Sequence, residues 1–545
     1  MLTPGVGMVI EPGTGTQCRP FEAARRALPS ALHCLGIVGY HGPSTKTVLL
    51  KEPELSESLT ILAISDAHYA SRDDAANARL GFPTAFGLEW IWRAVEEGRR
   101  LCHPDVIVLL GDLLENGRSP EAEADLSAIV ALLRETSLPI IVVPGNHDAY
   151  PERLLAFFGD SAGAHSIKGH TLYSFADPFT ADEGMERPRE EIERFLAMDF
   201  SEPLIVLQHN PIFPDVPSDE FPYMPRNVEA IRDSYRRKKA LLSLSGHYHD
   251  GLEMAAKDGV NYVTAGALCK APYRFDLIHV EEGRVRVERR QLRLPEGAPV
   301  VDGHIHTHFG YCAVDVHPEP VLQRATLLGA QSVVCVEHAG QLYLSEEDFW
   351  NKRHVDDPQS LRRARSAGSD RIGAFRDAMA RFRSDRLRVG LEAELDREGK
   401  LTLLEEDREG WDLLLGAVHW LPTGVTPSLE EFMLATERVI ASGIHVLAHP
   451  FRYAYQKRLP LDEAAFRRVV AALKRHHVLA EVNFHYNAPA PEFYRLCAQE
   501  GVGLLFGSDA HMLREVSDFT QHVRLLESLH IPFDHLADPF APRSA

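Results

Sequence analysis

No two cysteines in this chain are spaced as CxxC, and the seven present (Cys18, Cys34, Cys102, Cys269, Cys312, Cys335 and Cys497) are scattered and odd in number. That argues against both a thiolate zinc cage and a disulfide framework. No uninterrupted apolar run reaches membrane-spanning length, and no basic stretch leads into a hydrophobic N-terminal segment. Neither an anchor nor a secretory signal is therefore expected, and a cytoplasmic location follows by default. Positive charge is also in deficit. The 58 Lys and Arg face 78 Asp and Glu, and the net charge of −20 opposes long-range attraction to nucleic acid or an anionic membrane while leaving small phosphorylated partners acceptable. Gly, Pro and aromatic contents point to neither a fibrous nor a disordered class.

At 545 residues the chain exceeds what one hydrophobic core usually serves, so two or more domains are expected. It is rich in histidine, with 27, and histidine is the commonest metal ligand, so their placement matters. Residues 1–57, rich in Gly, Pro and small polar residues with a short helical piece around Phe21–Leu28, read as an extension. From Leu59 onward, apolar runs of strand length end in polar, metal-competent residues. They run into Asp66-Ala67-His68, Gly111-Asp112, Gly145-Asn146-His147-Asp148, Gln208-His209 and Gly246-His247-Tyr248-His249, with helical stretches such as Glu89–Arg100 and Glu121–Arg134 between the earlier ones.

A linker, Leu294-Pro295-Glu296-Gly297, precedes a second series. Its runs lead into Asp302-Gly303-His304-Ile305-His306, Glu337-His338, Glu392, His419, His449-Pro450, Asn483 and Gly507-Ser508-Asp509-Ala510-His511. Seven strands alternating with helices, polar at their C-terminal ends, are the pattern of a βα-barrel with its active site on one face. The two series share no detailed period and are not repeats of each other.

In an extended segment residues i and i+2 point the same way, so Asp66 with His68 and His247 with His249 are each expected to present two side chains to one point. With Asp112, Asn146 and His209 they suit a two-metal centre, in which a carboxylate bridges and imidazole or carboxamide groups fill the remaining positions. DxH, GDxxxN, GNHD, a lone histidine and GHxH, in this order over 58–294, resemble the calcineurin-like metallophosphoesterases, most closely their cyclic-nucleotide phosphodiesterase branch. The resemblance implies an α/β sandwich in which Asp66, His68, Asp112 and His249 hold one metal, and Asp112, Asn146, His209 and His247 the other. It further implies that His147 donates a proton or hydrogen bond to the phosphate or leaving group, with Asp148 orienting it, and that Asn116 stands behind the ligands.

The second series, HxH, EH, Glu, His, HP and DxH, resembles the PHP (polymerase and histidinol phosphatase) family, a distorted (β/α)7 barrel, over about 298–515 of a domain taken as 298–545. The resemblance implies that His304, His306, His338, Glu392, His419, His449, Asp509 and His511 are ligands to two or three metals. Glu392 would bridge, and Glu394 is its rival. A further ligand usual after HxH has three candidates here, His308, Tyr311 and Cys312. Arg452, after His449-Pro450, is either a phosphate grip or a solvated surface residue. The arginines between Lys352 and Arg388 read as solvated helix faces, with a phosphate-contacting lid as the lesser alternative.

The expectation is therefore an α/β, bifunctional hydrolase using Mn, Fe or Zn. Its N-terminal site would open phosphodiesters, cyclic ones among them, and its C-terminal site would remove monoester phosphate. Its substrates would be nucleotides or other small phosphorylated molecules, with no membrane involved. Nucleic-acid end processing and a regulatory or scaffolding role for one domain are the alternatives.

Overall fold

The computed structural model describes residues 57–72, 82–148, 151–159, 162–180, 184–216, 221–487 and 489–540. The extension expected at 1–57 and its helical piece lie outside the described residues, save for Glu57. Runs of Val, Ile and Leu too short for a helix become buried strands, and more polar, partly exposed segments become strands at the sheet edges. In the first half these are β1 (Leu59–Ile64), β2 (Val106–Leu109), β3 (Ile140–Val142), β4 (Gly163–Ile167), β5 (His170–Ser174) and β6 (Leu204–Leu207). They are followed by β7 (Leu242–Ser245), β8 (Leu252–Lys257), β9 (Val260–Thr264), β10 (Arg274–Glu281) and β11 (Arg284–Gln291).

The strands form two sheets, in the orders β11-β10-β1-β2-β3 and β4-β5-β6-β7-β9-β8. β1, β2 and β3 are parallel, as are β5, β6, β7 and β9; antiparallel β10 and β11 form one edge of the first sheet, and antiparallel β4 and β8 close both edges of the second. Leu59, Ile61, Val106 and Val108 of one sheet and Leu172, Ile205, Leu242 and Val263 of the other share a single core. This is a sheet-on-sheet sandwich. The helix Gly87–Cys102 covers the outer face of the first sheet through Trp90, Ile91 and Ala94. The helix Val228–Arg237 covers the second through Ile231 and Tyr235.

The second half is a closed barrel of seven parallel strands: β12 (Val301–Ile305), β13 (Ser332–His338), β14 (Leu387–Ala393), β15 (Leu413–Gly416), β16 (Val446–Leu447), β17 (Leu479–Val482) and β18 (Leu504–Phe506). Val301, Val334, Val336, Leu413, Leu415, Val446 and Leu505 fill its interior. The surrounding helices, among them Pro318–Leu328, Leu429–Ala441 and Glu463–His476, bury their apolar stripes against its outside. Among the described residues no helix is long and apolar enough to cross a membrane.

Sandwich and barrel are joined by more than the linker. Leu328, at the end of its helix, belongs to the core that contains Trp90, Tyr273 and Leu292. Arg93, only 3% exposed, donates to Glu89 at 2.9 Å and to the backbone oxygens of Arg514 at 2.5 Å and Val516 at 3.4 Å. Arg324 pairs with Glu89 and also donates to the Arg514 carbonyl at 3.3 Å.

Candidate functional site

In the sandwich, Asp66 and His68 follow β1, Asp112 follows β2, Asn146 follows β3, His209 follows β6, and His247 and His249 follow β7. The C-terminal ends of strands from both sheets thus supply one cluster, and one donor atom from each of Asp66, Asp112, His209 and His247 lies within 4.8 Å of the others. The pairs do not converge by strand alternation. Asp66, His68, Asp112 and His247 have φ of 52°, 45°, 50° and 66°. The side chains are therefore aimed by left-handed turns past the strand ends, a conformation that Asp and His tolerate better than most residues. The glycines of the motifs serve close backbone approach. A Cβ on Gly111, itself at φ 95°, would stand 2.9 Å from Gly145 Cα, and one on Gly145 would run into the Asp112 carboxylate.

The hydrogen bonds behind the ring nitrogens settle which atoms face inward. His209 Nδ1 donates to the Leu110 carbonyl at 2.6 Å, so in the neutral ring Nε2 is a lone pair. That lone pair points at two further acceptors, Asp112 Oδ2 at 3.3 Å and Asn146 Oδ1 at 3.2 Å. His68 Nδ1 donates to Glu115 at 2.7 Å, and its buried Nε2 has no hydrogen-bond partner while facing Asp112 Oδ2 at 3.7 Å and Asp66 Oδ1 at 4.0 Å. Asp66 Oδ1 and His247 Nε2 are buried without hydrogen bonds as well. Acceptors turned toward acceptors in a buried site fit shared cations. Despite burial, the Asp66 carboxyl is drawn down to about 2 by the His249 and His209 imidazoles.

Two expectations for this centre are corrected. Asp148 does not stand free to orient His147. Its carboxylate accepts from the amides of Leu113 at 2.8 Å, Leu114 at 3.1 Å and Gly145 at 3.0 Å, which braces the loops, and burial, then the Asp112 charge, pushes it up to about 6. The orienting acceptor for His147 Nδ1 is the Glu115 carbonyl at 2.8 Å. Asn116 is exposed and accepts from Arg118 N in a turn, while Glu115, buried beside it, holds His68. Sequence reasoning passed over Glu115. Its only signal was a carboxylate three residues after Asp112 at the end of an apolar run.

In the barrel, His304 lies in β12, His306 just beyond it, His338 ends β13, Glu392 lies in β14, His419 follows β15, His449 follows β16, and Asp509 and His511 follow β18. Glu392, fully buried, is the hub. Its Oε2 lies 3.5 Å from His304, 3.7 Å from His306 and 2.8 Å from His338, and its Oε1 lies 3.5 Å from His419 and 2.8 Å from His449. Asp509 Oδ1 is 3.2 Å from His306 Nε2. His304 Nδ1 donates to Glu481 at 2.8 Å, so in the neutral ring its Nε2 is a lone pair, 3.1 Å from His306 Nε2. His338 Nδ1 and Glu392 Oε2 stand close yet lack hydrogen-bond alignment. This centre fits cations on the same grounds. Burial opposes the charge on Glu392, but the His338, His419 and His304 imidazoles hold its pKa well below the ordinary carboxylate range.

Glu394, the rival for Glu392, accepts from His419 Nδ1 at 2.9 Å and so stands behind a ring rather than at the hub. Of the three residues after HxH, Cys312 joins His306 and His338 within a 4.8 Å group. His308 is bonded to the Val316 carbonyl, and Tyr311 donates its hydroxyl to Leu344 O. Burial would raise the Cys312 thiol, but hydrogen bonds to His338 and His511 bring it down to about 6. Arg452 lies at the barrel mouth, and its Nη2 donates to Asp509 and, at 3.1 Å, to Asn483. Arginines of 352–388 are taken up elsewhere: Arg362 by Glu406, Arg365 by Asp370 and Asp407, Arg371 by the carbonyls of Phe309 and Gln341, and Arg383 by Asp412. Glu481 was missed, although a carboxylate inside the strand Leu479-Ala480-Glu481-Val482 is itself a signal, because an unpartnered charge does not stay buried.

Residues 59–251 match the family model for calcineurin-like phosphoesterases, so this part of the chain is a calcineurin-like phosphoesterase domain, a hydrolase domain. The chain is 31% identical over 157 residues to a probable phosphatase of Acetivibrio thermocellus, covering 27% of this chain and 61% of that protein. It is 27% identical over 218 residues to a probable cyclic nucleotide phosphodiesterase of Fibrobacter succinogenes, covering 38% of this chain and 78% of that one. The chain thus spans about three fifths of the first relative's length. A solved dimetal phosphatase from Danio rerio is 18% identical, with 43% of this chain and 96% of that chain covered at a TM-score of 0.33.

Proposed function

We propose that the chain is a metal-dependent phosphoric ester hydrolase with two centres, a phosphodiesterase site in the sandwich and a phosphomonoesterase site in a barrel of the PHP family. The observation that carries it is the paired set of buried clusters in which ring nitrogens and carboxylate or carboxamide oxygens of His, Asp, Glu and Asn converge with only a proton or a cation able to bridge them. Asp66, His68, Asp112 and His249 would hold one ion and Asp112, Asn146, His209 and His247 a second. In the barrel His304, His306, His338, Glu392, His419, His449, Asp509 and His511 would hold two, with Cys312 placed for a third. Divalent Mn, Fe or Zn there would activate water and offset charge on the phosphoryl oxygens.

The protein's own groups do the rest. His147, half-buried at the rim, carries its proton on Nδ1 against the Glu115 carbonyl, so Nε2 is the atom that exchanges a proton with the leaving oxygen, a role worth about 10²–10⁴-fold. Glu115 and Glu481 fix the tautomers of His68 and His304. Arg452 presents a guanidinium to the phosphate at the barrel mouth. Small phosphorylated molecules suit the net charge of −20 better than nucleic acid does.

The test is a panel of phosphodiesters and monoesters on metal-replete protein and on Asp112→Asn and Glu392→Gln, with elemental analysis of each sample. Diester cleavage should vanish in the first variant alone and monoester cleavage in the second alone. Loss of both activities in either variant, or release of no phosphate from any diester by the intact chain, refutes the two-centre reading.

A further inference from the structure

Among the described residues four large hydrophobic side chains are exposed: Met254, Val314, Trp350 and Tyr486. Three of the four, Val314, Trp350 and Tyr486, line a single cavity of 460 Å³ at the barrel mouth, which His338, His511 and Arg452 also line. Apolar surface left in water is unfavourable, and here it is gathered above one candidate centre rather than scattered, the arrangement expected of a binding site. Each exposed ring is carried on a second ring that reaches the cluster. Trp350 stands 5.0 Å from Phe349, which is 5.6 Å from His338. Tyr486 stands 4.4 Å from His485, which stacks on His511 at 4.5 Å and 13°. Trp420, half-buried and 5.6 Å from Phe349, adds a third face to the lining. Tyr486 is 83% exposed and held at φ 45°, a backbone state that costs free energy for an aromatic residue and that no burial of its own ring repays.

We propose that this rim is a base-stacking platform and that the barrel centre takes a free nucleotide, with the phosphate on the floor against Arg452 and the planar base on Trp350, Trp420 and Tyr486. This rests on the phosphomonoesterase reading of the barrel. A cavity of 460 Å³ is of the size that small ligands fill, and an aromatic platform accepts any base because every base offers a π-face. An aliphatic phosphoester would leave the three rings in water, and inorganic phosphate would have no use for them.

The experiment uses metal-replete, full-length protein with AMP and ribose 5-phosphate, substrates that differ by the base. The readouts are the ratio of their kcat/KM values and their Kd values from tryptophan fluorescence. The proteins are wild type, the double variant Trp350→Ala with Tyr486→Ala, and the double variant Trp350→Phe with Tyr486→Phe. The alanine pair should lower the AMP to ribose 5-phosphate ratio by about 10- to 100-fold, through KM, and the phenylalanine pair should restore most of it. A ratio that moves less than about twofold overturns the platform. If wild type hydrolyses neither compound, the phosphomonoesterase reading falls, and the platform is judged on binding alone. It is then overturned if AMP binds no tighter than ribose 5-phosphate, or equally well to the alanine pair.

Discussion

Replacing Arg93 by Met should loosen the junction between sandwich and barrel by about 1–4 kcal/mol. The guanidinium is 3% exposed and makes a charge-assisted bond to Glu89, whose loss costs about 1.5–3 kcal/mol. The Arg514 carbonyl loses its 2.5 Å donor, for about 1–3 kcal/mol. Two features reduce the sum. Arg324 also reaches both Glu89 and the Arg514 carbonyl, and the Met side chain recovers about 1–2 kcal/mol of apolar burial against Trp90. Urea unfolding followed by both tryptophan fluorescence and circular dichroism should show a lowered midpoint and a separation of the two probes as the halves uncouple. Arg93→Met combined with Arg324→Met should cost more than the two single changes together, because each arginine covers for the other. A single-variant loss below about 1 kcal/mol with coincident probes would refute the reasoning.

Glu481→Gln removes the charge that fixes His304 and takes the His449 amide, and should weaken metal binding by about 10- to 100-fold at the barrel alone, read by chelator competition against Asp112→Asn as the other-centre control. His147→Gln should lower diester kcat by about 10²–10³-fold with metal content unchanged, and a change in metal content would place His147 among the ligands instead. Asp518 is held below the ordinary carboxylate range, since Arg93 and Arg100 outweigh its burial. With the folded pKa under the unfolded value, its contribution is present above about pH 4 and lost as pH falls through the folded pKa. Acid titrations of stability should therefore show a shallower low-pH loss in Arg93→Met than in wild type. The effect is modest, because the Asp518 side chain is 23% exposed.

The strands that carry the candidate ligands were legible because each is a short apolar run ending in a ligand type, as Val106–Leu109 into Gly111-Asp112 shows. The same rule placed the ends of all seven barrel strands to within a few residues, although His304 and Glu392 lie inside their strands rather than after them. What was not legible lacked that contrast. β4, Gly163-Ala164-His165-Ser166-Ile167, is half-exposed and polar, and β10 carries the buried Asp276, so neither gives a clean apolar period. Strand alternation was the wrong reason for the convergence of Asp66 with His68, since a left-handed turn cannot be read from a pattern of side chains. Asp148 was misplaced for a related reason. Its partners are backbone amides, which are the same in every residue and leave no mark on the sequence.

The left-handed backbone at Asp66, Asp112 and Asp509 also limits how these centres change under mutation. Glu has the charge but fits that conformation poorly, and Gly fits it but brings no donor. Asn accepts the same turn, keeps the shape and gives up the negative charge. Mutational drift at these three positions is therefore funnelled toward Asn, and a copy of this chain carrying Asn there would keep its fold while the charge of both clusters is lost one carboxamide at a time.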